Sequence, residues 1–487
     1  MTRPLLRRTL VGACASLLLA VPTAAPTTSV ATASTGSAST GSAPGVGSPS
    51  GGDRYYPRDG NGGYDVRRYT IRDTYRPRSG RLSGRTVVRA VAERNLRAFH
   101  LDLALVADAV RVDGRRASFR KPNPHSLRIR PAKPVQEGQR FAVRVRYHGN
   151  PSRATVPGYG SPFFRNRTEG LAMGQPQTGP WWFAANETPA DKATYRISIR
   201  VPRGREAVSN GELVGRRKTR KWTTWRWRMD DPMTTYAAFF YAGDLELRRG
   251  TADGRPYVYA VSKRVPERRR DQWMRRLQRT AAVTRWLEGE VGRYPFTSIG
   301  GVAPAVRAGF ALETQSRPVY PAFWGPARTS LLVHEMAHQW FGNSVALTRW
   351  RDIWLNEGLA TYFEWRWSET HGGRSTHELL RAAYHSAPAR SRFWDVRIGA
   401  PGPRNLFAWP VYERGAMTVA ALRNLIGDAA HETLLRRWVA ENAHGNVTGE
   451  QFRRLAEDVS GRQLDGFFRE WLDERDRPAD TAANGLR

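Results

Sequence analysis

The sequence predicts an all-β domain followed by a mixed α and β domain, in a chain of 487 residues. Three observations predict it. From Tyr64 to about Gly243, short runs alternate apolar and polar residues at period two, broken by Gly, Pro, Asn and Asp. That is the pattern of half-buried strands joined by turns. Beyond Gly243 strand-like runs come first and helical spacing later, the order of a mixed domain. Ahead of both lies a tract of Ser, Thr, Ala, Gly and Pro with nothing from which to build a core.

In chain order, residues 1–33 read as a secretory signal peptide. Arg3, Arg7 and Arg8 form a basic start, and Leu10 to Val21 an apolar run too short to hold a bilayer. Thr23-Ala24-Ala25 and Ala31-Thr32-Ala33 offer small-residue cleavage sites. A secreted protein is expected, by the Sec route ahead of the twin-arginine route. Cys14 is the only cysteine and lies in the segment to be removed. The mature chain then has no disulfide and no thiolate, so any metal must be held by His, Asp and Glu. Residues 34–54 are expected to be a flexible linker. Residues 55–244 form the β domain, from YDVRRYTIR through TYAAFFYAG. Trp222, Trp225 and Trp227 alternate within it and read as sheet packing. Residues 245–478 form the second domain. A strand pair (LELRRG, PYVYAV) leads into a helix over 266–290. Strands in SIGGVAP and GFALETQSRPVY follow, then helices at 328–341 and 354–369, with helical patterns dominating from about 411 to 474. Residues 479–487 are a C-terminal tail.

The formal net charge is +33, from 77 basic residues against 44 acidic ones. Such an excess raises nucleic acid as a partner. The basic residues are spread along the whole chain, however. The densest run, ERRRDQWMRRLQR (267–279), carries Trp273 and Leu277 at helical spacing and reads as a solvated helix face. No specific nucleic-acid partner is expected. Attraction to anionic polymers of a cell envelope is the more natural consequence for an exported protein.

The chemistry concentrates in LLVHEMAHQWFGN (331–343). His334 and His338 are four apart and share one helix face, so both imidazoles can point at one ion. Glu335 lies beside them, placed to handle the proton of a water molecule. Thr329 or Ser330 is expected to cap the helix. Zinc needs a third protein ligand and an open position, and Glu357 in WLNEGLATYFEWRW is the candidate. A helix can carry the bare HExxH pattern by accident. Here Leu332, Val333, Met336, Ala337 and Trp340 surround it, and buried imidazoles and carboxylates need a partner that a metal supplies.

HEMAHQWFGN followed by WLNEGLATYFE resembles the zinc motif of the M1 (gluzincin) family of aminopeptidases. WRDIW (350–354), VYERGAMTVAAL (411–422) and GFALETQ (309–315) resemble further segments of that family, and the likeness covers about residues 55 to 475. It implies a saddle-shaped β domain and a thermolysin-like zinc catalytic domain. One zinc ion per chain would be held by His334, His338 and Glu357. Glu335 would act as general base and then acid, and Tyr412 would donate a hydrogen bond to the oxyanion. Glu313 would bind the substrate's free α-ammonium, with Gln175 in AMGQPQTGPWWF beside it. Phe310, Leu312 and Thr314 depart from the family's usual Gly, Met and Asn, and Met173 stands where many members have a second Gln. Glu364 shares a helix face with Glu357, either supporting a ligand imidazole or exposed. The chain ends soon after FFREWLDERDRP, where the family's catalytic domain normally finishes, so two domains with a more open cleft are expected. A monomer is expected as well. The function implied is a secreted zinc aminopeptidase that removes N-terminal residues from peptide substrates by attack of a zinc-bound water. A zinc endopeptidase or other zinc hydrolase stays open, as does a basic cell-surface binding protein.

Overall fold

Alternating burial along the first long strands builds the larger sheet. In Tyr64–Arg76 the side chains of Tyr69, Ile71 and Tyr75 are buried, while Arg72 and Arg76 between and after them are exposed. The computed structural model describes residues 44–323 and 328–487. The signal-peptide reading of residues 1–33, and the linker up to residue 43, fall outside that range. The sheet has eight strands in the order Glu212–Lys218, Trp222–Met233, Ala193–Pro202, Tyr64–Arg76, Arg81–Ala92, Arg140–Gly149, Val106–Val112 and Arg115–Arg116. Neighbours run antiparallel except Ala193–Pro202 beside Tyr64–Arg76, which is parallel. The buried face meets two four-stranded sheets. Tyr64 packs edge-on against Phe99 of one, and Tyr75 packs against Phe163 and Phe240 of the other. Trp225 and Trp227 are buried in this core, whereas Trp222 lies on the opposite face, half-buried.

The second region opens with a three-stranded sheet, Leu245–Ala252, Arg255–Ser262 and Ile299–Ala303. Its helices are α1 (Glu267–Gln278), α2 (Thr280–Val291), α3 (Thr329–Ala337), α4 (Trp354–Thr370), α5 (Thr376–Ser386), α6 (Trp409–Ile426), α7 (Asp428–Glu441) and α8 (Gly449–Ser460). The fold is thus the expected mainly-β region followed by a helical and mixed-sheet region. Among the described residues no helix is long and apolar enough to cross a membrane.

Five local expectations change. The single helix over 266–290 is two, α1 and α2, separated at Arg279, whose N–H bonds to the Arg276 carbonyl three residues back. The segment GFALETQSRPVY is no strand. It makes isolated bridges at Leu312 to Val319 and Val302 to Val319, and turns through Ser316 at φ 66°. Neither Thr329 nor Ser330 caps α3. Arg328 holds the cap position without a side-chain bond, and the Thr329 hydroxyl accepts from Arg276 instead. Residues 44–54 are not free linker. Gly45–Val46 pairs in parallel with the strand from Leu96, and the Asp53 carboxylate accepts the Trp350 N–H at 2.7 Å. Residues 479–487 do not trail either: Leu486 is buried and the Asn484 carbonyl accepts the Trp471 indole N–H at 3.2 Å.

Two cations tie the β region to the rest. Lys192 gives its ammonium protons to the carbonyls of Asn343 (2.9 Å) and Ser344 (2.8 Å), just past α3. Arg317 is fully buried against the Trp227 ring and donates to the carbonyls of Ser209, Gly211 and Val258. Among the described residues neither forms an ion pair with a carboxylate. Carbonyl dipoles satisfy the donors, while burial lowers Lys192 to about 7 and Arg317 to about 9.

Candidate metal centre and cleft

Helix α3 carries His334, and His338 sits at its C-terminal cap, still in helical conformation. Both side chains therefore leave the same face. Helix α4 brings Glu357 in its first turn to meet them. The Nε2 atoms of His334 and His338 lie 3.2 Å apart, and Glu357 Oε2 is 3.5 Å and 3.4 Å from them. These three atoms make a nearly equilateral triangle. Zinc bound tetrahedrally at about 2.0–2.1 Å would hold its donors about 3.3 Å apart, so the set fits the ion. It is the one such ligand cluster among the described residues.

The nitrogens facing away are also held. His334 Nδ1 bonds to Glu364 Oε1 at 2.9 Å, and His338 Nδ1 to the Phe341 carbonyl at 3.1 Å. With Nδ1 acting as donor, each Nε2 keeps its lone pair for a metal. Burial alone would push Glu357 up. The His338 and His334 imidazoles outweigh it and hold the carboxyl down at about 2. Glu335 is different. Burial pushes it up to about 8, against the pull of the two imidazoles, and its Oε2 is buried without a hydrogen bond. An orphaned carboxylate oxygen beside three donor atoms is what a site handling a metal and a proton requires.

A cleft of about 820 Å³ joins these groups to the remaining candidates. Tyr412 enters from the first turn of α6, its ring stacked 6.1 Å from that of His334. Burial, then Glu357, Glu313 and Glu335, push its phenol well up, so it stays protonated. Helix α6 reaches this depth because Gly415 crosses Gly358 of α4. A Cβ on either glycine would lie 2.7 Å from the other's Cα. Glu313 is 3 % exposed, and its Oε1 accepts from Gln175 Nε2 at 2.9 Å. The β region thus supplies one wall of the cleft. Burial raises Glu313, His338 pulls it down, and it forms no ion pair with Lys or Arg among the described residues.

Further residues near the site escape a reading of motifs. Asn343 Nδ2 donates to the Glu313 carbonyl at 2.6 Å and Gln339 Nε2 reaches it at 3.3 Å. Both lie in the motif segment, but the bonds run to a loop some thirty residues away. Glu413 lines the cleft next to Tyr412, raised to about 7 by burial and then by Glu364. Phe310, Phe407 and Trp409 stand exposed at the cleft wall. Their apolar character is visible in the sequence, but their convergence is not. Met173, by contrast, is wholly buried.

The Peptidase family M1 domain model matches residues 327–471. Aminopeptidase M1-D of Oryza sativa subsp. japonica is 23% identical over 380 residues, which are 71% of this chain and 42% of the relative. The chain spans less than half the length of the first curated relatives it matches. The crystal structure of an M1 zinc metallopeptidase from Deinococcus radiodurans superposes with a TM-score of 0.78 at 26% identity, covering 88% of this chain and 98% of that one. A mutant of that enzyme bound to a Tyr-Ser-Ala substrate also matches at 0.78 and 26%, over 88% and 99% of the two chains.

Proposed function

Because the chain belongs to the M1 peptidase family, we propose that it is a zinc-dependent aminopeptidase that removes N-terminal residues from peptides. One observation carries the exopeptidase reading. Glu313 is a buried carboxylate in the cleft wall, bonded to the neutral Gln175 and, among the described residues, in no ion pair with Lys or Arg. A fixed, uncompensated anion beside the metal ligands is complementary to a substrate's free α-ammonium. It anchors the first residue and so puts the first peptide bond over the metal ligands.

His334, His338 and Glu357 would hold the zinc. When bound, the ion supplies Lewis acidity and brings water's pKa toward neutrality. Glu335 accepts the proton of the attacking water and returns it to the leaving amine. Its freedom from other bonds and its raised affinity for a proton suit both tasks. Tyr412, kept protonated, donates its O–H to the oxygen where negative charge develops. Gln175 fixes the Glu313 carboxylate, while Asn343 and Gln339 fix its backbone. The signal-peptide pattern of residues 1–33 supports export, and we read the working molecule as a monomer.

The test uses fluorogenic amino-acid and dipeptide substrates, each with a free and an acetylated N-terminus, with and without chelator. Cleavage confined to free amines, abolished by chelator and lowered about 10²–10⁴-fold in Glu335→Ala, is the expected result. Glu313→Gln should raise KM and narrow the gap between free and acetylated substrates. Efficient cleavage of acetylated substrates by the unaltered protein would replace the aminopeptidase reading with an endopeptidase.

A further inference from the structure

The solvent face of the eight-stranded sheet carries arginines in register. Arg226 opposes Ser198, Ser198 opposes Arg72, Arg72 opposes Arg85, and Arg85 opposes Arg146. Three of these guanidiniums thus leave directly adjacent strands, whose spacing is about 4.8 Å. In the next row Arg144 opposes Arg111, and one row further Arg68 opposes Arg89. All are exposed, and none of them forms an ion pair among the described residues. Of the acids on this face, Asp230 and Glu212 are engaged by Arg196 and Arg228, Asp108 by His148, and Asp113 accepts the Ala142 N–H. Two hollows of about 920 Å³ and 850 Å³ open on the face, the first lined by Arg68, Arg89 and Arg140 with Asp113, the second by Arg72, Arg85 and Arg146 with Asp108 and the buried Asp73.

The sheet does not need this arrangement. Like charges directly opposite one another weaken strand pairing. Desolvation, then the charges of Arg72, Arg144 and Arg146, lower the pKa of Arg85. Ser83, Thr70, Thr74 and Ser198 fill other positions of the same face with neutral groups. A surface that holds repelling cations a strand apart is complementary to a chain of closely spaced anions, each taken by an Arg fork.

We propose that this face docks a linear phosphodiester polymer without bases, of the chemistry found in polyol-phosphate polymers of cell envelopes. Single-stranded nucleic acid is less well matched, because it is held by bases stacked on aromatic rings. Phe141 and Tyr147, which line the two hollows, are buried, and Trp222 at the edge of the face is covered by the guanidiniums of Arg76 and Arg200 at 5.0 Å and 4.9 Å.

The test measures binding of the full protein to purified poly(glycerol phosphate) across a salt series. The triple variant Arg72→Ser, Arg85→Ser, Arg146→Ser should weaken binding about ten-fold or more near 0.15 M salt. The slope of log affinity against log salt should fall by about 2, since each neutralised phosphate of a single chain contributes about 0.7. The control removes equal charge from the exposed side of α1, by Arg268→Ser, Arg269→Ser and Arg275→Ser, and should leave binding near that of the parent. Because net charge changes identically, equal weakening by both triples, or by neither, overturns the proposal. Tighter binding of oligo-dT with the same number of phosphates overturns it in favour of nucleic acid. Thermal unfolding and peptide cleavage check that the fold survives. If the triple variant fails to fold, Arg85→Ser, flanked by arginines on both sides, should still lower the slope.

Discussion

His334 and His338 differ in what holds the nitrogen that faces away from the metal position. For His338 it is the backbone carbonyl of Phe341, beyond the reach of substitution. For His334 it is the Glu364 carboxylate, two turns along α4 from Glu357. A carboxylate partner fixes the tautomer and orientation of the ring and raises its basicity. One helix therefore supplies both a ligand and the group that aims another ligand. Glu364→Ala should weaken zinc binding about 10–100-fold, read by competition with a chromophoric chelator. The protein should still fold, since Glu364 lies at the cleft and not in the core. Unchanged zinc affinity would mean that packing alone, including the Tyr412 ring stacked on His334, orients the imidazole.

At the scale of elements, the crossing of α4 and α6 sets the site. Gly358 follows Glu357 directly, and Gly415 lies three residues after Tyr412. Each helix presents a bare backbone to the other at the point nearest the chemistry, so ligand and phenol approach from two rigid bodies in contact. Gly415→Ala would place a methyl group 2.7 Å from the Gly358 Cα and force the helices apart. Overpacking of this kind costs about 1–3 kcal/mol, to be read as a lower thermal midpoint. Displacing Tyr412 by a fraction of an ångström should lower kcat by about ten-fold or more. Gly289→Ala on α2 is the contrast. A Cβ there meets nothing within 4 Å. It should stabilise the fold by about 0.4–1 kcal/mol and leave kcat unchanged. A kcat equally indifferent to both substitutions would remove the crossing from the account.

Across the whole molecule, what could be read in advance was what lies close in sequence. Alternation along YDVRRYTIR foretells which side chains of Tyr64–Arg76 are buried, because a strand's period is a local property. The i, i+4 histidines foretell one helix face for the same reason. Contacts made when distant segments meet were not legible. Asn343 reaching Glu313, Lys192 reaching the end of α3 and Arg317 set among carbonyls all have neighbours chosen by the fold. The segment around Glu313 read as strand because its apolar residues alternate, yet its carbonyl goes to side chains rather than to a ladder. Buried acids of the β region were equally hidden. Asp102 takes the N–H groups of Gly60 and Glu187, Glu187 takes that of Thr178, and Asp191 takes that of Val66. Burial pushes Asp102 up to about 7, and Glu187 and Asp191 up to about 8. Their effect on stability has a definite sign. Between the ordinary carboxyl value and about 8, the folded protein keeps the Glu187 proton while the unfolded chain has lost it. Stability is then fully present below the unfolded value and declines as pH rises toward 8. Glu187→Gln removes this dependence at one site while keeping an acceptor for the Thr178 N–H. The difference in thermal midpoint, variant minus parent, should become more positive from pH 5 to pH 8. The Asp191 contribution, common to both proteins, cancels from it, whereas Asp102, whose charge raises Glu187, adds to the change in the same pH range. A difference that stays flat across this range would mean that Glu187 titrates alike in the folded and unfolded chains. The groups around it would then stabilise the carboxylate as well as water does.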